Sequence, residues 1–546
     1  MVGAAATDEF DAVEQAVVDH VFRLQPGLAV GLGLHQYDGI VPDLSAAATD
    51  RWEADADVLL GRLAGFDEAA LPAGRRADRF LLRLLLEGPL FDLRESRDLE
   101  RNPMTYIGGI SLTAYLVRDY APAADRVRAM VRTLSGVPKL LEDGRRRLRG
   151  PLPRPFVDLA LAIGSGLPGH FAEAEAYAAR VGAAAEFAGP RAVAEAAVAH
   201  FVAALRDELP RAVPDFALGP ERFQRLLFVR EGLTTPVDEL RRAGEADLAR
   251  NQARLAELLR QHGTTEAALL ERMGDDHPAA AEIVPAARRC VDEALAFVRS
   301  HDLVSVPAGV AVRVEETPLW ARALSTASMD SPGPFDPGGE GVYYVTPVDP
   351  AWSAVQQREW LRSLNRTMLA NITVHEVFPG HYLQYLHLHA AALPLARRVY
   401  LSPSFVEGWA HYTEELAVEN GFGGPGPEAE VAQLHDALLR DCRLLAAVGL
   451  HADGWPLERA VRLFETDARM DRLPAEREAI RGTYNPEYFC YTLGKLAIRD
   501  LRARRLASSF GGNPKAFHDA LLGLGAPPIA LLDALLDRPG GGTPGA

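Results

Sequence analysis

The sequence predicts a mainly α protein with a small β-sheet set into it. Two observations carry that prediction. Apolar residues recur at helical spacing from Phe10 to about Ser300 and again from Trp352 to about Leu536, and between Leu303 and Pro350 the spacing changes to alternation. The 546 residues, 48% hydrophobic and 24% charged, lie in the ordinary globular range and are enough for a large core. Length alone would allow about three or four domains at ~150 residues each. We read instead one continuous body: an N-terminal helical region over residues 1–300, a second region with the small sheet over 301–538 and an expected mobile tail over 539–546.

The helices are argued from stripes and stop signals. In Thr235–Gly263, Thr235 is placed to cap, Pro236 fits a first helical position and Asp238 falls where a capping box has its acid; Leu240, Leu248, Leu255, Leu258 and Leu259 form the stripe, and Gly263 ends it. In the altered stretch, Val304, Val306, Val310, Val312 and Val314 alternate with other residues. A Pro/Gly-rich run, Met329 to Gly341, then precedes the β-prone segment Gly341 to Thr346.

Composition narrows the function. A formal net charge of −16 disfavours nucleic acid and anionic membrane surfaces as partners. Three scattered cysteines, Cys290, Cys442 and Cys490, make neither a disulfide framework nor a paired-cysteine metal site. Met1 to Phe10 lacks the basic and apolar segments of a signal peptide, and no run of about 18 apolar residues occurs, so a cytoplasmic protein is expected.

Chemistry concentrates at His375-Glu376-Val377-Phe378-Pro379-Gly380-His381. Imidazole and carboxylate are the usual ligands of a catalytic zinc, and zincins place two histidines four residues apart on one helical face. Here the interval is six, which in unbroken helix means about 240° of rotation and a rise of about 9 Å, so the rings would not converge. Pro379 resolves this, because it has no N–H for the carbonyl of His375 and its ring clashes there. A break is expected at Pro379, with Gly380 giving the backbone freedom to turn His381 back. Two histidines alone would also suit a helix corner. A third ligand is therefore sought in Ser404 to Leu416, a helical stretch ended by Asn420-Gly421, where Glu407, His411 and Glu414 share a face. Glu407 is the chosen third ligand, His411 and Glu414 are cleft-lining or ligand-orienting groups, and Glu415 is read as solvated helix surface.

These residues resemble the bacterial family grouped as domain of unknown function 885. Its HExxPGHxxQ hallmark is matched by His375, Glu376, Pro379, Gly380, His381 and Gln384. Its EGWAxYxExL block is matched by Glu407, Gly408, Trp409, Ala410, Tyr412, Glu414 and Leu416. Gly33, His35, Tyr37, Asp38 and Leu44 resemble its opening segment, and Arg101 to Tyr106 another recurring piece. The resemblance implies a zinc metallopeptidase with a helical fold related to thermolysin-like oligopeptidases and carboxypeptidases, its cleft bordered by a small sheet. The departure is Tyr484 to Lys495, where a Pro-Gly-Gln-Ala-like turn is altered while Tyr491 and Gly494 are kept.

The function expected is therefore zinc-dependent hydrolysis of peptide or peptide-like amide bonds, with one zinc on His375, His381 and Glu407 and with Glu376 as general base. Tyr491 is the leading oxyanion donor, with Tyr484, Tyr488 and His411 behind it; a core tyrosine is the other reading of Tyr491. Hydrolysis of non-peptide amides or esters, and peptide binding without turnover, stay open as alternatives. A serine mechanism is disfavoured because Gly164-Ser165-Gly166 lacks a nucleophile elbow's context, and no phosphate-binding or dinucleotide glycine loop occurs.

Overall fold

A computed structural model of the chain describes residues 2–319, 322, 325–338 and 340–537. The tail expected at 539–546 lies outside the described residues. The protein is mainly α, with one three-stranded sheet, and it packs as two units with separate cores.

The first unit comprises Met1–Leu218 with two short segments from far along the chain, Pro332–Gly338 and Pro394–Tyr400. Its core runs through three long helices, Ala123–Arg147, Arg154–Arg180 and Ala184–Glu208. In the first of these Val127, Met130, Leu134, Val137 and Leu141 are buried at three- and four-residue steps, the apolar stripe that makes a helix pack on one face. Gly164 and Ser165 lie in the middle of the second, so no elbow forms there.

Electrostatics fasten the two distant segments. Arg397 Nε donates to the buried carboxylate of Asp78 at 2.7 Å, and the Ala396 N–H donates to Glu14 at 2.8 Å. The opening-segment residues hold the other segment. His35 bridges Asp38 (3.1 Å) and Asp336 (2.8 Å), and the Tyr120 hydroxyl donates to Asp38 at 2.6 Å. Gly33 has φ +91, and a Cβ there would stand 2.5 Å from the Asp336 nitrogen, so both conformation and space require glycine.

The second unit comprises Gly219–Ser331, Gly339–Leu393 and Leu401–Ala546, and the texture change near Leu303 falls inside it. Strand β1 (Val312–Glu316) pairs in parallel with β3 (Gly341–Val345), and β2 (Ala327–Asp330) pairs antiparallel on the other side of β3. The central strand β3 is buried throughout, which explains its unbroken apolar run, while β2 is an edge. The alternation expected from Val304 makes strand only from Val312; Leu303 and Val304 are core residues ahead of it, so burial and not pairing accounts for the first valine.

The helix expected over Thr235–Gly263 spans Val237–Gln261, with Leu240, Leu248, Leu255 and Leu258 buried. Gly263 takes φ +56 and stops it. The expected Thr235 cap and Asp238 box do not form. Gln224, from the preceding helix, accepts the Val237 N–H at 3.1 Å and donates to the Thr235 carbonyl at 2.9 Å, so a tertiary contact replaces the local cap.

Candidate metal centre

Two helices of the second unit meet at the motif. One spans Arg366–Glu376 and the next His381–Ala390, so the helix breaks between the two histidines as Pro379 predicts. The Phe378-Pro379 peptide is cis. Gly380 takes φ −73 and ψ −133 at this turn, and a Cβ there would lie 1.8 Å from the His375 carbonyl oxygen, so close approach of backbone also demands glycine. The turn is pinned by Trp409, whose Nε1–H donates to the Pro379 carbonyl at 2.9 Å.

The break brings the imidazoles together, with ring centroids 4.8 Å apart and planes at 84°. Glu407 joins them from helix Pro403–Glu419: its Oε2 lies 3.5 Å from His375 Nε2 and 3.4 Å from His381 Nε2. One ligand atom from each of the three falls within 4.8 Å of the others. Helix Pro403–Glu419 is placed by its ends and by a close crossing. Ser402 caps it and also donates to the buried Glu231 at 2.6 Å; Asn420 and Gly421, φ +87, close it. Gly408 meets Gly494 of helix Cys490–Phe510 so closely that a Cβ on Gly494 would lie 1.7 Å from the Ser404 carbonyl oxygen. Gly408 of the second family block and Gly494 therefore both make room for this crossing.

Behind the three candidate ligands lies a buried charged layer. Glu414, fully buried, accepts from His375 Nδ1 at 2.6 Å on one oxygen and from Arg440 (3.0 Å) and His411 Nδ1 (3.3 Å) on the other. Burial opposes charge on His375, yet Glu407 and Glu414 push its pKa up to about 9. Burial likewise opposes charge on Glu407, and the two histidines nevertheless hold its carboxyl well below the usual range. Burial, with the Lys495 charge beside it, pushes His411 down to about 3, so it is neutral.

The donor set fits zinc. Glu407 Oε2 is buried and has no hydrogen-bond partner despite facing two imidazole nitrogens. Ligands at about 2.0–2.2 Å around a tetrahedral ion stand about 3.3–3.5 Å apart, matching the two measured separations. His375, its Nδ1–H given to Glu414, turns Nε2 towards Glu407 and would offer it to a metal, as in the carboxylate–histidine arrangement of metal sites.

The other expected site residues are placed as follows. Burial pushes the Glu376 carboxyl up against the pull of His375 and His381, and Met329 of edge strand β2 lies nearby. Tyr491 lies in the first turn of helix Cys490–Phe510, its ring flanked by Arg443 at 5.1 Å and Arg440 at 5.6 Å. Burial and the Glu407 charge both raise its pKa. Of the oxyanion candidates behind Tyr491, His411 is 0% exposed with its Nδ1 against Glu414, and the Tyr488 hydroxyl is buried beside Gly482. Glu415 is corrected: it is half-buried and pairs with Arg250 (3.1 Å) and Arg499 (3.5 Å). Arg440 and Trp409 are the site's unforeseen members, since their partners Glu414 and Pro379 lie 26 and 30 residues away with no spacing rule between them.

The chain matches the family described as "Bacterial protein of unknown function (DUF885)" over residues 26–536. It belongs to DUF885. Two solved structures resemble this DUF885 protein in fold, described as a "putative lipoprotein of unknown function" from Shewanella oneidensis and a "putative lipoprotein" from Colwellia psychrerythraea. The first is 23% identical, with a TM-score of 0.79 over 97% of this chain and 100% of that one; the second is 18% identical, with 0.82 over 97% and 98%. No curated protein matches this DUF885 chain.

Proposed function

We propose that this DUF885 protein is a zinc-dependent hydrolase of peptide or peptide-like amide bonds. The observation that carries the reading is the orphaned Glu407 oxygen between two Nε2 atoms, with Glu414 fixing the tautomer of His375. Zinc on His375, His381 and Glu407, one per chain, would polarise the scissile carbonyl and activate water. Glu376 would serve as general base, taking a proton from the attacking water and giving it to the leaving amine; its raised pKa suits a group that must both accept and give. Strand β2, whose Met329 lies near Glu376, is an edge of the sheet, and an edge strand is where an extended peptide can align, which favours peptides over simple amides or esters. Tyr491 is the side chain we assign to the developing oxyanion.

Alanine at His375, His381 or Glu407 should abolish tight zinc binding, read by elemental analysis. Glu376→Gln should keep the zinc and lose at least ~100-fold in turnover on a peptide library. Zinc retained by all three ligand variants, or turnover confined to simple esters, overturns the reading; stoichiometric zinc without any turnover would leave a peptide-binding protein. We also place the protein in the cytoplasm. Its three cysteines are buried and free, and among the described residues no helix is long and apolar enough to cross a membrane. Recovery in the membrane fraction, in keeping with the names of the two structural neighbours, would overturn that placement.

A further inference from the structure

Among the buried polar atoms beside the candidate centre that have no hydrogen-bond partner are Nδ1 of His381 and Oε1 of Gln384. Gln384 is 3% exposed, so water does not solvate its amide freely. Both side chains sit on helix His381–Ala390, three residues apart, and residues so spaced are neighbours on one helical face. Leu388, one turn further along, is buried on the same stripe.

The two orphans are complementary. Nε2 of His381 faces Glu407 at 3.4 Å, so a metal held there would leave the ring's proton on Nδ1, which has no acceptor. Gln384 Oε1 is an acceptor without a donor. For His375 the corresponding need is met by Glu414 at 2.6 Å. A metal-bound imidazole needs such an acceptor to hold its tautomer and ring plane.

We propose that Gln384 is a positioning residue: its Oε1 accepts the Nδ1–H of His381, by rotation of the amide or through one bridging water, and so commits Nε2 to the metal. The inference rests on the zinc reading above. It makes the two histidines unequal ligands. A carboxylate behind His375 raises that ring's basicity, while a neutral amide behind His381 leaves the second ring a weaker donor.

Gln384→Met keeps length and apolar packing but removes the acceptor; Gln384→Glu restores an acceptor. In zinc competition against a chelator, Q384M should bind about 10- to 100-fold more weakly than the native protein, the usual loss for such a partner. Q384E should recover the native affinity or exceed it. Native affinity in Q384M, or equal weakness in Q384M and Q384E, overturns the proposal. A second measurement needs no metal. In metal-free protein with 15N-labelled histidine, the His381 Nδ1–H should exchange slowly in the native chain and rapidly in Q384M, and unchanged exchange overturns the proposal. If the native protein takes up no zinc while this protection is lost in Q384M, the Gln384–His381 pair stands and the metal reading falls.

Discussion

Glu414 spends both of its oxygens, one on His375 Nδ1 and the other on Arg440 and His411. A neutral amide there cannot accept from all three donors, and its NH₂ would face one of them. We expect Glu414→Gln to keep all three zinc ligands yet lose about 10- to 100-fold in zinc affinity, measured by chelator competition. Glu231 is another buried carboxyl with a clear task, holding Ser402 at the start of the helix that carries Glu407. Burial raises its pKa to about 7, against the hydrogen bonds from Ser402 and Ser404. A carboxyl raised in the folded state contributes most below its unfolded pKa of about 4.5, and that contribution is lost as pH rises through about 7. Each tenfold difference in proton affinity between the folded and unfolded carboxyl is worth on the order of 1.4 kcal/mol. The difference in Tm between Glu231→Gln and the native protein should therefore move in favour of the variant as pH goes from about 4.5 to about 7.5. A flat difference would mean that Glu231 ionises without cost.

At the scale of elements, the decisive feature is the break between the two histidine helices. It is legible in the sequence, because the missing N–H of Pro379 is a property of one residue and its effect on helix is local. The role of Gly380 is not, since it depends on where the His375 carbonyl lies after the turn has formed. Gly380→Ala should consequently do more than stiffen a loop. The added methyl meets backbone that cannot move aside, so we expect a lower Tm and zinc binding weakened with every ligand still in place. Native affinity in this variant would show that the turn has slack. The same contrast explains the other elements. Glu407, His411 and Glu414 are readable as one face from their spacing, whereas the burial of Glu415 and His411 depends on Arg250, Arg499 and the Lys495 region, which no local pattern announces. Likewise the Thr235 cap is sound local chemistry displaced by Gln224, a partner 13 residues before the N–H that it satisfies.

For the molecule as a whole, fold class and the family are legible because the helical stripes and two motif blocks span most of the chain. The composition of the units is not. Pro332–Gly338 and Pro394–Tyr400 are short pieces whose membership in the first unit is fixed by side chains such as Asp78 and His35, hundreds of residues earlier. Removing one of those anchors tests its weight. Arg397→Ala strands the buried Asp78 carboxylate with only Arg75, 3.6 Å away, so we expect a loss of about 3 kcal/mol in urea unfolding, the lower end for breaking a buried pair. A loss under about 1 kcal/mol would mean that Arg75 alone satisfies Asp78.

Those two short segments also decide what can be separated from what. The polypeptide passes from one unit to the other after residues 218, 331, 338, 393 and 400, so each unit is assembled from several stretches of one thread. No single cut yields either as an intact fragment. A chain begun at Gly219 would carry Asp336 and Arg397 without His35 and Asp78, and a chain ended at Leu218 would have the sockets without what fills them. The stretches that hold His381 and Glu407 lie on either side of one such excursion, and the strand that meets Glu376 runs directly into the other. The candidate centre is thereby inherited with the N-terminal half of the gene: a lineage that lost the first 218 residues would keep every ligand, but on a thread whose two excursions have nowhere to dock.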